Sequence, residues 1–537
     1  MRQLTALDAQ FLNVETATTA AHVAGLALLD SAEGSVNRDA LAQLLLERVH
    51  LSPALSLRLA QVPLGLDHPY WAADPDFDID NHLFEMTLPA PGDDWQLAEA
   101  VAELHARRLD RAHPLWEMHL IHGLPDGLVA VYTKVHHAAI DGISGAETLA
   151  TLLDLTPDGH LERRRLHGAR TTARADQAAE PCILAQGDER PSSGGAEEIG
   201  HGPGGAAAPV PRRAGDDAPG LFGMLTGAAV RTATHPVRAA HSVVKAAGDL
   251  DAIPLVASLP GAKLIARAAR VVTRDQHRRT ELPSLAVPRT PFNGPISARR
   301  HLSFGSLSLK DVKNVAKANG MSVNDVVMTL CTSALRSWLR ERDALPEEPL
   351  IVAVPVAVRT AKAKDLVGNQ ISAMVTPMPT NVPDPKERLR AVANAMSRAK
   401  RRFALAPATW LSELCSLLPA PVTSLATPAI FRLAGVAFPP INLIISNVPG
   451  PQFPLYLCGG RVLSYYPLSV LTDMSGGVNI TCFSYDGMLD FGIVACPDRM
   501  DDVWGLLRHL RTALDELLDE RVGDEFRDRV GVDLVTG

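Results

Sequence analysis

The chain has 537 residues, of which 46% are hydrophobic and 21% charged, with a net charge of −8. That length leaves room for two cores rather than one, and the acidic balance gives no support for general nucleic-acid binding. Six cysteines (Cys182, Cys331, Cys415, Cys458, Cys482, Cys496) are scattered without a CxxC pair, which favours reduced thiols over a zinc ribbon or a disulfide framework.

The first residues, Met1 to Asp8, lack the apolar stretch of a secretory signal. No run of about 18 apolar residues marks a spanning helix. The nearest candidate, Leu417 to Ile445, is broken by Pro419, Pro421, Pro428, Arg432, Pro439 and Pro440. A cytoplasmic protein, soluble or peripheral at a membrane, is expected.

Residues 1–156 alternate strand-like and helix-like segments. Val23 to Leu29 reads as a short apolar strand, Arg38 to Val49 as an amphipathic helix, and Asp76 to His82 as an acidic loop or edge strand. Trp95 to Arg108 is helical by period. Pro114-Leu115-Trp116 follows; proline fixes φ after the helix and tryptophan offers a large rigid surface, so the triplet reads as a core anchor. His113, His119 and His122 read as structural or surface histidines.

Val131 to Val135 is a β-branched and aromatic run that ends in His136-His137-Ala138-Ala139-Ile140-Asp141-Gly142. A helix is expected from Ile143 to Leu155. A strand end, a tight Asp-Gly turn and a helix start make a rigid mount for an imidazole. Because histidine titrates near neutrality, a neutral ring here can take a proton from a hydroxyl attacking a carbonyl. Adjacent strand residues point to opposite faces, so the pair is a poor metal site. Asp141 either orients the ring or braces the turn, and the spacing does not choose between them. An ordinary strand cap followed by an ordinary turn remains the plainer alternative.

Composition changes at residue 157, and 157–220 is rich in Gly, Pro, Ala, Ser and charge, as in Pro191 to Glu198. It is expected to be a disordered insert, because it offers too little apolar surface to offset its ordering entropy. Arg163-Arg164-Arg165 inside it reads as solvated or as a contact for anionic lipid. Residues 221–290 return to helix, with Leu221 to Leu225 and Ala262 to Val272 interleaving apolar and basic positions. Such a pattern suits a crossover between domains or a helix lying on lipid.

Residues 291–537 form the second expected domain. Pro291-Phe292-Asn293-Gly294-Pro295-Ile296 opens it, with Asn-Gly as a turn signal. Helices are expected over Leu307 to Asn319 and Ser322 to Arg340, broken at Gly320, with Ser322 and Asp325 spaced for a capping box. Leu350 to Val358 reads as a strand leading to Arg359. Asn442 to Ser446 reads as a buried strand running into Asn447-Val448-Pro449-Gly450-Pro451. Val478 to Tyr485 and Met488 to Val494 form a hairpin about Asp486-Gly487, and Val503 to Leu518 a closing helix. No glycine-rich phosphate loop and no G-x-S-x-G elbow are present.

His136 to Gly142 resembles the HHxxxDG signature of the acyl-CoA-dependent acyltransferase superfamily. Pro114-Leu115-Trp116 is similar to the PLW motif of the wax ester synthase/diacylglycerol acyltransferases, Asn324-Asp325 to their ND motif and Asn447-Val448-Pro449 to their NVP motif, in the family's order. The resemblance implies an α/β fold of two chloramphenicol-acetyltransferase-like domains, mixed sheets with flanking helices, and an active-site tunnel at their interface. It implies transfer of a fatty acyl group from acyl-CoA to diacylglycerol or a long-chain alcohol, with no cofactor and no metal. His137 would be the general base, His136 would orient it, and Asp141 would give structural and electrostatic support. Asn293 would donate to the oxyanion of a tetrahedral intermediate. By similarity to condensation domains, Arg359 would pair with Asp141. A carrier-protein thioester as donor, or a silent lipid-binding role at membrane or lipid droplet, are the alternatives.

Overall fold

A computed structural model describes residues 2–31, 35–140, 148, 151–159, 224, 287–357, 371–405, 415, 420–437 and 439–530. The N-terminal half contains β1 (Arg2–Gln3), α1 (Ala6–Asn13), β2 (His22–Asp30), α2 (Arg38–Arg48), α3 (Pro53–Ser56), β3 (Leu57–Ala60), β4 (Tyr70–Ala73), β5 (Leu83–Thr87), α4 (Asp94–Ala106), β6 (Trp116–His122) and β7 (Leu128–His136). The C-terminal half opens with β8 (His301–Ser308), α5 (Leu309–Ala318), α6 (Val323–Arg340), β9 (Leu350–Ala357), β10 (Ile371–Met378), α7 (Pro385–Leu405) and α8 (Ala420–Ala437). It closes with β11 (Leu443–Pro449), β12 (Tyr456–Leu457), β13 (Gly460–Leu468), β14 (Val478–Tyr485), β15 (Met488–Ala495) and α9 (Val503–Val530).

Two six-stranded sheets carry the fold, in the orders β12-β13-β2-β7-β6-β5 and β10-β9-β11-β14-β15-β8, beside a small sheet β1-β4-β3. Both large sheets are mixed: β5 runs parallel to β6, and β11 runs parallel to β9 and β14. The hairpin β12–β13 comes from the second half of the chain yet pairs with β2 in the first half's sheet. Tyr485 of β14 holds it there, its hydroxyl donating to Val462 O and accepting from Leu455 N.

Local chemistry sets the element ends. Thr5 and Asp8 form a capping box on α1, Asp93 and Gln96 on α4, and Ser322 and Asp325 on α6, as the spacing of the last pair predicts. Asp486 and Gly487, at φ of 40° and 83°, make the expected tight turn between β14 and β15. The helix expected from Leu307 starts instead at Leu309, because Leu307 and Ser308 finish β8 opposite Leu489 and Met488 while Ser308 caps α5. His82, expected in an acidic loop or edge strand, is buried and stacks between Phe77 and Trp116.

One core lies between the second sheet and α5, α6 and α9, with Trp338 and Phe292 packed together. Another lies under α2 with Trp116 and Tyr485. A third joins the halves: Leu97 and Val101 of α4 and Tyr132 of β7 meet Phe304, Tyr466 and Val494. No helix among the described residues is long and apolar enough to cross a membrane.

Candidate active site

The site is laid down by the pairing of β6 with β7. Trp116 stands opposite Val135, and the His136 N–H donates to Leu115 O at 2.9 Å. Leu115 and Trp116 are fully buried, and the Trp116 indole donates to Leu55 O. The PLW triplet therefore pins the strand end from which both histidines emerge. His137 leaves β7 with its N–H donating to Ala21 O at 2.9 Å, just ahead of β2.

The two imidazoles meet different surroundings. His136 is 1% exposed, and its Nδ1 accepts from the Ala138 N–H at 3.0 Å. Burial pushes its pKa down to about 3, and the nearby Arg111 cation and His137 push the same way, so the ring is neutral. Its Nε2 faces the Glu15 carboxylate at 3.8 Å. Glu15 in turn accepts from Arg111 at 2.7 and 3.1 Å and from the Ala21 N–H. His137 is half-buried and lies flat on Phe11 of α1, ring centroids 3.9 Å apart. Of the pair, His137 is the partly exposed residue and His136 is committed to the loop.

Glu15, Arg111 and Phe11 carry no local sequence signal. Glu15 and Phe11 come from the far N-terminus and reach the histidines only through tertiary packing. Downstream of the signature, a further clamp appears. Arg48 of α2 makes a buried ion pair with Asp154, its Nη2 donating to both carboxylate oxygens and its Nη1 to Leu152 O, while the Asp154 backbone bonds both ways with Tyr456 of β12. Ser52 and Thr148 hydroxyls also meet, at 3.1 Å.

The expected second-half residues fall into two places. Asn447 on β11 donates to Asn324 Oδ1 on α6 at 3.2 Å, so the ND and NVP motifs meet each other. Asp325 serves the capping box, and Val448 packs beside the core under α2. Pro449 closes β11 opposite Ser484. Asn293 is a brace: its Oδ1 accepts from Thr290 and Asn442 and its Nδ2 donates to Ile441 O. Through these bonds the amide ties 290–293 to 441–442, with one N–H of its Nδ2 going to Ile441 O. Asp141, Gly142 and Arg359 lie outside the described residues, and with them the expected Asp141–Arg359 link, as do residues 160–220 of the expected insert and the expected lipid-facing helices except Met224. A cavity of roughly 490 Å³ opens between the halves beside Ser306, Tyr466, Trp504 and Arg511, and neither signature histidine lines it. The tunnel expected around His137 is not that cavity.

Residues 4–327 match the model of the wax ester synthase/diacylglycerol acyltransferase catalytic domain, and residues 367–518 match the model of that family's C-terminal domain. The chain belongs to this acyltransferase family. Among its relatives, a putative diacylglycerol O-acyltransferase of Mycobacterium tuberculosis H37Rv is 33% identical over 522 residues, 97% of this chain and 90% of the relative. A probable diacylglycerol O-acyltransferase of the same strain is 33% identical over 518 residues, 96% and 98% of the two chains. The solved wax ester synthase/diacylglycerol acyltransferase of Marinobacter aquaeolei VT8 superposes with a TM-score of 0.61 at 26% identity, covering 96% of this chain and 98% of that one. The two-domain α/β architecture is thus the family's own.

Proposed function

We propose that the protein moves a long-chain fatty acyl group from acyl-CoA to the hydroxyl of diacylglycerol, or of a long-chain alcohol, in one direct transfer. His137 acts as general base. It takes the hydroxyl proton as the oxygen attacks the thioester carbonyl; the C–S bond then breaks and His137 returns the proton to the departing CoA thiolate. No acyl-enzyme forms, in keeping with the lack of a serine elbow in the sequence.

The observation that carries this reading is the division of labour between the two imidazoles. His136 is buried with Nδ1 accepting a backbone N–H, whereas His137 stands half-buried on a flat aromatic floor. Base catalysis of this kind contributes about 10²–10⁴-fold, so holding the reactants in line must supply much of the remainder. Phe11 and the Ala21 carbonyl, which fix the ring and backbone of His137, serve that purpose. Names of the relatives favour diacylglycerol, and the Marinobacter protein's name admits wax esters as well. The acceptors are insoluble in water, which favours work at the inner membrane surface or a lipid droplet.

Labelled palmitoyl-CoA offered to the purified protein with both acceptors, followed by thin-layer separation, tests the proposal. Labelled triacylglycerol or wax ester, matched by free CoA, is expected. Label carried by the protein itself after denaturation would overturn direct transfer, and no CoA release with either acceptor would overturn the activity.

A further inference from the structure

Helix α8 is inverted for a helix packed on a protein in water. Among its described residues the buried positions are two threonines and a glycine, Thr423, Thr427 and Gly435, rather than large apolar residues. Thr423 and Thr427 are 4% and 6% exposed, and Thr427 Oγ1 donates to Gln10 Oε1 on α1 at 2.7 Å. The large apolar side chains face out: Leu425 is 82% exposed, Leu433 66%, Ile430 53% and Val422 45%. With 3.6 residues per turn, these four and the exposed Ala429 share one arc of roughly 140°. A single exposed leucine needs no explanation, but a continuous apolar face does.

Charge narrows the choice of what covers it. Residues 420–437 contain no carboxylate in a chain of net charge −8, and their one charged side chain, Arg432, is exposed at the edge of the apolar arc. An apolar face flanked by a long cation fits a phospholipid leaflet: the aliphatic side chains enter the acyl region and the guanidinium reaches the headgroup phosphates. Position adds to this. α8 packs on α1, and α1 carries the Phe11 ring on which His137 lies. The apolar face is one helix away from the imidazole.

We propose that α8 lies in the surface of a phospholipid leaflet through Val422, Leu425, Ala429, Ile430 and Leu433, with Arg432 on the phosphates. This docks the protein with its α1 side against the phase that holds the acceptor. The proposal rests on the acceptor being a membrane lipid, and its test reads binding separately from turnover.

The test is flotation of the full-length protein with phosphatidylcholine vesicles containing phosphatidylglycerol and diacylglycerol. The variant Leu425→Glu/Leu433→Glu should keep its melting temperature, since both side chains already face solvent. Its vesicle-bound fraction should fall by roughly tenfold or more, because leaflet affinity scales with the apolar area buried. CoA release with diacylglycerol in those vesicles should fall in step, while release with a short-chain alcohol dissolved in buffer is kept. Arg432→Gln should weaken flotation only when phosphatidylglycerol is present. Undiminished flotation of the double variant overturns the proposal. So does a wild-type dimer that this variant converts to monomer by light scattering, because the face would then cover a second copy. Wild-type protein that floats through α8 yet releases no CoA with any acceptor would sink the proposed activity and leave this surface standing.

Discussion

At the end of β7 the protein buries ionisable groups beside a half-buried imidazole, whereas at the junction of α6 and β11 it sets two half-buried neutral amides beside one another. The first cluster places Glu15, Arg111 and His136 within reach of His137. The second joins Asn447 to Asn324, and a neighbouring set ties Asn293 to Asn442 and to backbone. A buried amide that is hydrogen-bonded holds segments in place at modest net gain and carries no proton. A buried carboxylate and an imidazole are costly to bury and earn retention only where their charge or proton matters. Motifs of equal weight in the sequence therefore have unequal chemistry, and substitution can separate them.

The widest gap is expected at His137. His137→Ala should lower CoA release from palmitoyl-CoA by about 10²–10⁴-fold. Its melting temperature should stay close to that of the wild type, since the ring is half-buried and its backbone bond to Ala21 survives. Full activity in that variant would erase the distinction between the clusters. Glu15→Ala comes next, and reads out in stability first. It removes the carboxylate partner of Arg111, which keeps its bond to Leu12 O, and the acceptor of the Ala21 N–H; because Arg111 is partly solvated the loss should be about 2 kcal/mol, below that of a fully buried pair. Urea unfolding measures it, and an unchanged midpoint would mean the Glu15–Arg111 pair braces nothing.

Acid should act on the first region more than the second. Burial holds the His105 and His136 rings at about 3 and His22 well below its ordinary value of 6.5. Folded, these rings stay neutral where the unfolded chain takes up protons, so their contribution is complete above about 6.5 and is lost as pH falls toward 3. Asp490, buried between Ser306 and the Tyr465 N–H, is raised from 3.8 to about 6 and has the opposite sign: its stabilisation is present below 3.8 and is lost as pH rises through 6. Three imidazoles outweigh one carboxyl. Stability should therefore drop by about 1 kcal/mol or more per pH unit on acidification below pH 6, measured as the urea midpoint. A flat profile would show that the histidines are solvated in the folded state.

What the sequence revealed follows the same division. The strand ending at His136, the hairpin at Asp486-Gly487 and the capping box at Ser322 and Asp325 were legible because their signals sit within a few residues of one another. The PLW triplet was legible as an anchor, but its bond to His136 was not, since that depends on β6–β7 register. β13 escaped notice because its pairing partner, β2, lies over 400 residues earlier and no local turn announces it. Glu15 escaped for the same reason. The bonds of Asn293 to Ile441 and Asn442 are equally invisible in Asn-Gly-Pro-Ile, since they join segments about 150 residues apart.

The smallest effect, and the one that tests the bracing role most directly, belongs to Asn447→Ala. The change removes one amide-to-amide bond of 3.2 Å and leaves Asn324 Oδ1 without that donor. A single neutral hydrogen bond of this kind is worth about 1 kcal/mol net. Nothing at the His136–His137 mount depends on it, since that mount is held by Leu115, Ala21, Glu15 and Phe11. Thermal unfolding should register the loss while kcat with palmitoyl-CoA stays within about threefold of the wild type, a change under 1 kcal/mol in barrier. If kcat instead collapses with the melting temperature unchanged, the amides act on the reacting groups, and the line drawn between a chemical cluster and a bracing one is in the wrong place.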